Sequence, residues 1–121
     1  MKRRILIVDD SESIRELVGS TLSEVGYEVS RGVDGKDAFD QLQDIKVDLV
    51  LTDLNMPTMD GIMLLKEIRK HEKYKYLPVL ILTTESEAKK RQEAKEAGAT
   101  GWIVKPFDQD RLLKIISKVI R

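Results

Sequence analysis

Cysteine is missing from this chain and histidine occurs once, at position 71. Without cysteine there are no disulfides, no thiol nucleophile and no thiolate metal site. His71 stands in a lysine- and glutamate-rich stretch with no second histidine near it, and reads as a solvated surface residue, neither ligand nor base. Neither charge sign is in excess. Lys+Arg and Asp+Glu number 21 each, which removes the strongest argument for nucleic acid or an anionic membrane as partner. No apolar run approaches the roughly 18 residues a membrane span requires. The start Met1-Lys2-Arg3-Arg4 is basic, but only residues 5–8 separate it from two aspartates. That is too short for a secretory signal, so a cytoplasmic protein is expected. A glycine-rich turn is also missing after the first apolar run, where Asp9-Asp10-Ser11-Glu12 stands instead. Nucleotide-binding Rossmann and P-loop readings fail on that point.

What is present is regular alternation. Ile5-Leu6-Ile7-Val8 is a β-branched run, and Ser11 is an N-cap for a helix with Ile14, Leu17, Val18, Thr21, Leu22 and Val25 at helical spacing. Gly26 closes that helix. Residues 27–31 alternate weakly, as in a less buried strand, and Asp34-Gly35 opens a second helix with Ala38, Phe39 and Leu42 inward. Leu49-Val50-Leu51-Thr52 is a third strand ending at Asp53, and Asp60-Gly61 opens a third helix with Ile62, Leu65 and Ile68 inward. A fourth strand over 77–82 ends at Thr83-Thr84. Ser86 is the expected cap of a fourth helix over 87–97 whose only apolar side chains are alanines, closed by Gly98. Trp102-Ile103-Val104 is a fifth strand leading to Lys105-Pro106, and Asp108 caps a last helix with Leu112, Leu113, Ile116, Val119 and Ile120 on one side. Five strands alternating with five helices, without linker or repeat, predict one α/β domain over 1–121 with a parallel sheet covered on both faces.

In parallel strands, all carboxyl ends meet at one edge of the sheet, where ligands of such folds bind. Strand one brings Asp9 and Asp10 there, strand three Asp53, strand four Thr83 and Thr84, and strand five Lys105. Three crowded carboxylates repel unless a cation compensates. A hard divalent ion answers that need, and Mg²⁺ is favoured because it uses one or two carboxylates, keeps waters and leaves room for a phosphoryl group. Lys105 adds a fixed positive charge and a threonine hydroxyl a donor, a set suited to phosphoryl transfer. An aspartate can take a phosphoryl group as an acyl phosphate. The Asp9-Asp10 pair suits metal binding and the solitary Asp53 suits the acceptor role. By itself, Asp53 would read as a turn cap, and Asp9-Asp10 as an acidic helix start favoured by the helix dipole.

The motifs Val8-Asp9-Asp10, Asp53 with Asn55-Met56-Pro57, Met59-Asp60-Gly61, Leu82-Thr83, Gly98-Ala99 and Lys105-Pro106-Phe107 span the chain in one order. In that order and spacing the sequence resembles the receiver domains of two-component response regulators, within them the single-domain chemotaxis type. The resemblance implies a flavodoxin-like doubly wound sheet of order 2-1-3-4-5. It implies phosphorylation of Asp53 by a sensor histidine kinase or small phosphodonors. Asp9, Asp10, Asp53 and the backbone carbonyl of Asn55 would surround Mg²⁺, and Thr83 and Lys105 would each engage a phosphoryl oxygen. The Lys105-Pro106 bond would be cis. Asn55 and Glu85 would modulate the site. An aromatic on strand five, here Trp102, would swing inward and alter the face of helix four, strand five and helix five. Family members more often carry tyrosine or phenylalanine there, so a partly buried anchor between helices four and five stands as the other reading of Trp102.

On this resemblance the chain is not an enzyme beyond catalysing its own phosphorylation and dephosphorylation. With nothing after the fifth helix, output is expected through protein contacts by a monomer. The partner is a flagellar motor switch protein or, alternatively, a histidine phosphotransfer domain in a phosphorelay; a phosphatase is a further partner, and nucleic acid and membrane are not. Lys89, Lys90, Arg91 and Lys95, with Arg111, Lys114 and Lys118, give this side a basic character, though Glu87, Glu93 and Glu96 intersperse it. A phosphatase with an aspartyl nucleophile is the rival from another class. It resembles an Asp-x-Asp pattern, and Asn55 stands where its general acid would be.

Overall fold

The computed structural model describes residues 2–120. Strands β1 (Arg4–Val8), β2 (Glu28–Gly32), β3 (Leu49–Thr52), β4 (Val79–Thr83) and β5 (Gly101–Val104) form one sheet in the order β2-β1-β3-β4-β5. Every neighbouring pair is parallel. The helices α1 (Glu12–Glu24), α2 (Gly35–Asp44), α3 (Gly61–Lys70), α4 (Ala88–Glu96) and α5 (Gln109–Val119) alternate with the strands. This is the parallel, doubly wound sheet expected from the alternating pattern, in the flavodoxin-like order that the resemblance implied.

The three inner strands, RILIV, LVLT and VLILT, are apolar throughout 5–8, 49–51 and 79–82 because helices cover both of their faces. On one face Ile5, Ile7, Leu49, Leu51, Leu80, Leu82 and Ile103 pack against Val18 and Leu22 of α1 and Leu112 and Ile116 of α5. On the other, Leu6, Val8, Val50, Val79 and Ile81 meet α2, α3 and Ala94 of α4. Fully burying a leucine or isoleucine contributes about 1.5–3 kcal/mol, so the helices are held unequally. Five residues of α3 are buried but only Ala94 of α4. The alanine-only apolar face expected for α4 is therefore also a weakly anchored one.

Helix starts follow local chemistry. Ser11, Asp34, Asp60 and Asp108 each accept a hydrogen bond from a first-turn amide of their helix. Gly26 and Gly98 end α1 and α4 at φ of 100° and 101°, the left-handed region that disfavours a Cβ.

Two expectations need correction. Ser86 does not cap α4: the cap position is Glu87, which makes no side-chain cap bond. The carboxylate of Glu85 accepts the N–H of Glu87 itself, at 2.9 Å, which ties the cap residue back to the loop without capping a first-turn amide. His71 is not a solvated surface residue. It is half-buried, its ring stacks on Tyr74 at 4.4 Å between centroids, and its Nδ1 accepts the Lys73 amide at 3.1 Å. Its surroundings are structural, at the end of α3. Arg69, in the last turn of α3, was not singled out by sequence. Its guanidinium donates to the carbonyls of Leu77 at 2.6 Å, Lys75 at 3.3 Å and Gly98 at 2.9 Å, tying α3 to the entry of β4 and the exit of α4. Burial lowers the pKa of this guanidinium from its ordinary value.

Candidate functional site

Strand register decides which side chains meet. Val8 is level with Thr52, and Thr83 with Val104, so the next residues, Asp9, Asp53 and Lys105, leave the sheet side by side. Backbone bonds extend the ladder one step beyond the strands. The Asp53 amide donates to Val8 O at 2.8 Å, that of Lys105 to Thr83 O at 2.8 Å, and that of Asp9 to Gly32 O at 3.2 Å. These bonds aim three charged side chains into one cleft.

Asp9 is 3% exposed and Asp10 lies in the open. Carboxylate oxygens of Asp9, Asp10 and Asp53 all lie within 4.8 Å of one another. Lys105 Nζ sits 2.7 Å from Asp9 Oδ2 and 3.4 Å from Asp53 Oδ2. The other Asp9 oxygen accepts the Ser11 amide at 2.9 Å, and the other Asp53 oxygen accepts the Leu54 amide at 2.7 Å. Three hard oxygen donors around one ammonium fit a hard divalent cation such as Mg²⁺, which needs few protein ligands and keeps its waters. No softer donor stands among these residues.

The segment after β3 is held tightly. Thr52, fully buried, donates through its hydroxyl to Asp53 O at 2.9 Å, and Gly61 N–H donates to Leu54 O at 2.8 Å. A Cβ on Gly61 would collide with the carbonyl oxygen of Asp53. Asp60-Gly61 is therefore a cap followed by the one residue type that lets α3 start against the Asp53 backbone. Thr58 sits at φ 67°, unusual for a β-branched residue and a mark of how sharply this loop turns. Asn55 is exposed. The Lys105-Pro106 bond is cis.

Thr83 is fully buried and its hydroxyl accepts the Glu85 amide at 3.2 Å. Through Glu85 and the Glu87 amide, a chain of two hydrogen bonds leads from Thr83 to the start of α4. Trp102 is half-buried and pairs with Ile81, two residues before Thr83 on the same face of β4. It packs on the side that α3 and α4 cover and lines a cleft of about 500 Å³ together with Ala88, Arg91, Ala94 and Lys95 of α4. It thus contacts the α4 side of the sheet and also borders Phe107 and Arg111 toward α5.

Sequence reasoning missed Arg15. Its Nη1 donates to the backbone carbonyl of Asp9 at 2.6 Å. The available signal was a cation near the N-terminus of α1, where the helix dipole disfavours positive charge.

A family model described as the response regulator receiver domain matches residues 5–117. Chemotaxis protein CheY-3 of Vibrio cholerae is 42% identical over 117 residues, covering 96% of this chain and 90% of the relative. Regulatory protein AtoC of Escherichia coli is 38% identical over 118 residues, 98% of this chain but 25% of the relative, so the chain spans a quarter of that longer protein. Among solved structures, chemotaxis protein CheY4 of Vibrio cholerae superposes with a TM-score of 0.93 at 44% identity, covering 98% of this chain and 99% of the other. The receiver domain of sensor histidine kinase PA1611 from Pseudomonas aeruginosa, solved with a magnesium ion coordinated in its active-site cleft, has a TM-score of 0.91 at 28% identity, covering 99% and 98%.

Proposed function

This chain belongs to the response regulator receiver family of two-component signalling, and we propose that Asp53 is its phosphoacceptor, driven by a histidine kinase in chemotaxis control. The observation that carries this reading is the meeting of Asp9, Asp10, Asp53 and Lys105 in one cleft from three separate strand ends. The near full-length relatives named as chemotaxis proteins support the chemotactic assignment.

An Asp53 carboxylate oxygen attacks the phosphorus of a phosphohistidine or a small acyl phosphate. The new O–P bond forms as the P–N or P–O bond breaks, and the leaving imidazole or carboxylate departs with the electron pair; an imidazole then takes up a proton. The Leu54 amide holds one Asp53 oxygen and so orients the other. Lys105, already 3.4 Å from Asp53 Oδ2, neutralises charge building on the phosphoryl oxygens. Asp9 and Asp10, with Asp53 and the Asn55 carbonyl, would hold Mg²⁺. Bound there, it supplies charge neutralisation and a template for in-line transfer. The magnesium in the PA1611 receiver domain supports this assignment.

A phosphoryl group adds about −1.5 to −2 charges and three acceptor oxygens. Thr83 turns its hydroxyl toward it and gives up the Glu85 amide. The release passes to the start of α4, the helix with the fewest buried residues, and opens space beside Trp102. The α4–β5–α5 face then changes and binds its target, a flagellar motor switch protein, in the cytoplasm. The protein acts as a monomeric switch, catalysing only its own phosphorylation and dephosphorylation.

Intact-mass measurement after incubation with acetyl phosphate, with and without Mg²⁺, tests the central claim. One added phosphoryl group on wild type, dependent on Mg²⁺ and absent from Asp53→Asn, is expected. Equal labelling of Asp53→Asn would sink it. Pull-down by motor switch peptides against histidine phosphotransfer domains separates chemotaxis from a phosphorelay.

A further inference from the structure

We propose that Arg15 positions the Asp9–Asp10 peptide for divalent-cation binding, an inference that rests on the phosphoacceptor reading above. Its Nη1 donates to the Asp9 carbonyl at 2.6 Å, six residues back along the chain. The bond goes to a backbone oxygen. Although three carboxylates gather close by, Arg15 forms no ion pair with them among the described residues. A cation present for its charge alone would turn to a carboxylate, where a charge-assisted bond is strongest.

Asp10 is the loose member of the acidic set. Asp9 is held at every polar atom: its amide by Gly32 O at 3.2 Å, its carboxylate by Ser11 N at 2.9 Å and Lys105 Nζ at 2.7 Å, its carbonyl by Arg15. The Asp10 carboxylate is exposed and, among the described residues, accepts no hydrogen bond. The Asp9 carbonyl belongs to the peptide that joins the two aspartates. A peptide unit is planar, so a bond to its oxygen restrains rotation of the plane that leads into the Asp10 Cα, from which the side chain departs. Arg15 thereby orders Asp10 through the backbone. The place on α1 fits this account, because a cation near a helix N-terminus opposes the helix dipole, and here it makes a specific contact.

The two roles open to Arg15 differ in sign. As a bare positive charge it repels a divalent ion, and its loss tightens binding. As a positioning residue it lowers the cost of collecting Asp10, and its loss weakens binding. Partners that orient a metal ligand change affinity about 10–100-fold; one bond to an exposed ligand places Arg15 at the lower end, about tenfold.

The test is Mg²⁺ titration by calorimetry, alongside the Mg²⁺-induced rise in Tm, for wild type, Arg15→Met, Arg15→Lys, Asp10→Asn and the Arg15→Met/Asp10→Asn double variant. Arg15→Met is expected to bind Mg²⁺ about tenfold more weakly, and Arg15→Lys to regain most of the loss. In the Asp10→Asn background Arg15→Met should cost little more, since both act through one ligand. Labelling by acetyl phosphate should return to the wild-type rate at saturating Mg²⁺, the defect lying in the concentration needed. Arg15→Gln, too short to reach the carbonyl, carries the same expectation should Arg15→Met fail to fold. Unchanged or tighter binding in these variants, or fully additive losses with Asp10→Asn, would overturn the inference. A wild type that neither binds Mg²⁺ nor takes up phosphate would instead remove the phosphoacceptor reading itself.

Discussion

The Lys105 ammonium lies closer to Asp9 than to Asp53, 2.7 Å against 3.4 Å. The lysine is shared by two carboxylates and leans toward Asp9. The side chains are 10%, 4% and 12% exposed for Lys105, Asp9 and Asp53, so solvent does little to screen them.

Lys105→Met should therefore leave buried carboxylates without compensation. Breaking a buried pair by removing one partner costs about 3–5 kcal/mol. The expected loss is about 3 kcal/mol of unfolding free energy by urea titration without divalent ions. Much of it should return with Mg²⁺, since a ligand that binds only the folded state stabilises it. Undiminished stability without Mg²⁺ would show that Lys105 is not what balances the cleft.

Gly61→Ala places a methyl group into the Asp53 carbonyl and 3.0 Å from Leu54 Cα. Overpacking of this kind costs about 1–3 kcal/mol, and here the atom displaced is the backbone of Asp53, the proposed phosphoacceptor. The variant should lose about 2 kcal/mol in stability and be labelled by acetyl phosphate more slowly than wild type at saturating Mg²⁺. A normal labelling rate in a destabilised variant would separate the loop's packing from the chemistry.

Arg69→Met removes donors from three carbonyls that join α3, the β4 entry and the α4 exit. Leaving partly buried carbonyls unpaired costs about 1–3 kcal/mol, so a drop of about 2–3 kcal/mol is expected. Hydrogen exchange should rise around Gly98 and the end of α4 first. A uniform change across the chain would argue that Arg69 acts on global stability alone.

Trp102 is the chain's one tryptophan, so its fluorescence reports on a single site. It neighbours Ile81 across the sheet, beside Thr83 on the same face. If Thr83 and Trp102 move together, the emission maximum should shift on phosphorylation of wild type and stay fixed in Thr83→Ala. An unchanged wild-type spectrum assigns Trp102 the anchor role between α4 and α5.

Much of the fold was legible because its signals are local. The strand runs, the caps Ser11, Asp34, Asp60 and Asp108, and the glycines at 26 and 98 each act within a few residues of themselves. Ser86 misled because α4 starts one residue later than expected, which puts Glu87 at the cap position. His71 misled because its partners Tyr74 and Phe39 make an aromatic cluster that lysine and glutamate neighbours conceal in the sequence.

The sequence by itself determined that one α/β sheet would gather Asp9, Asp10, Asp53, Thr83 and Lys105 at one edge, because parallel strands bring all their carboxyl ends together. Tertiary structure alone decided how those groups share their bonds. Lys105 leans toward Asp9, Arg15 takes the Asp9 carbonyl, and Thr83 holds Glu85. The reason is physical: spacing along a chain selects which residues meet, but distances of a few tenths of an ångström between charged groups are set by the packing of the strands and helices that carry them.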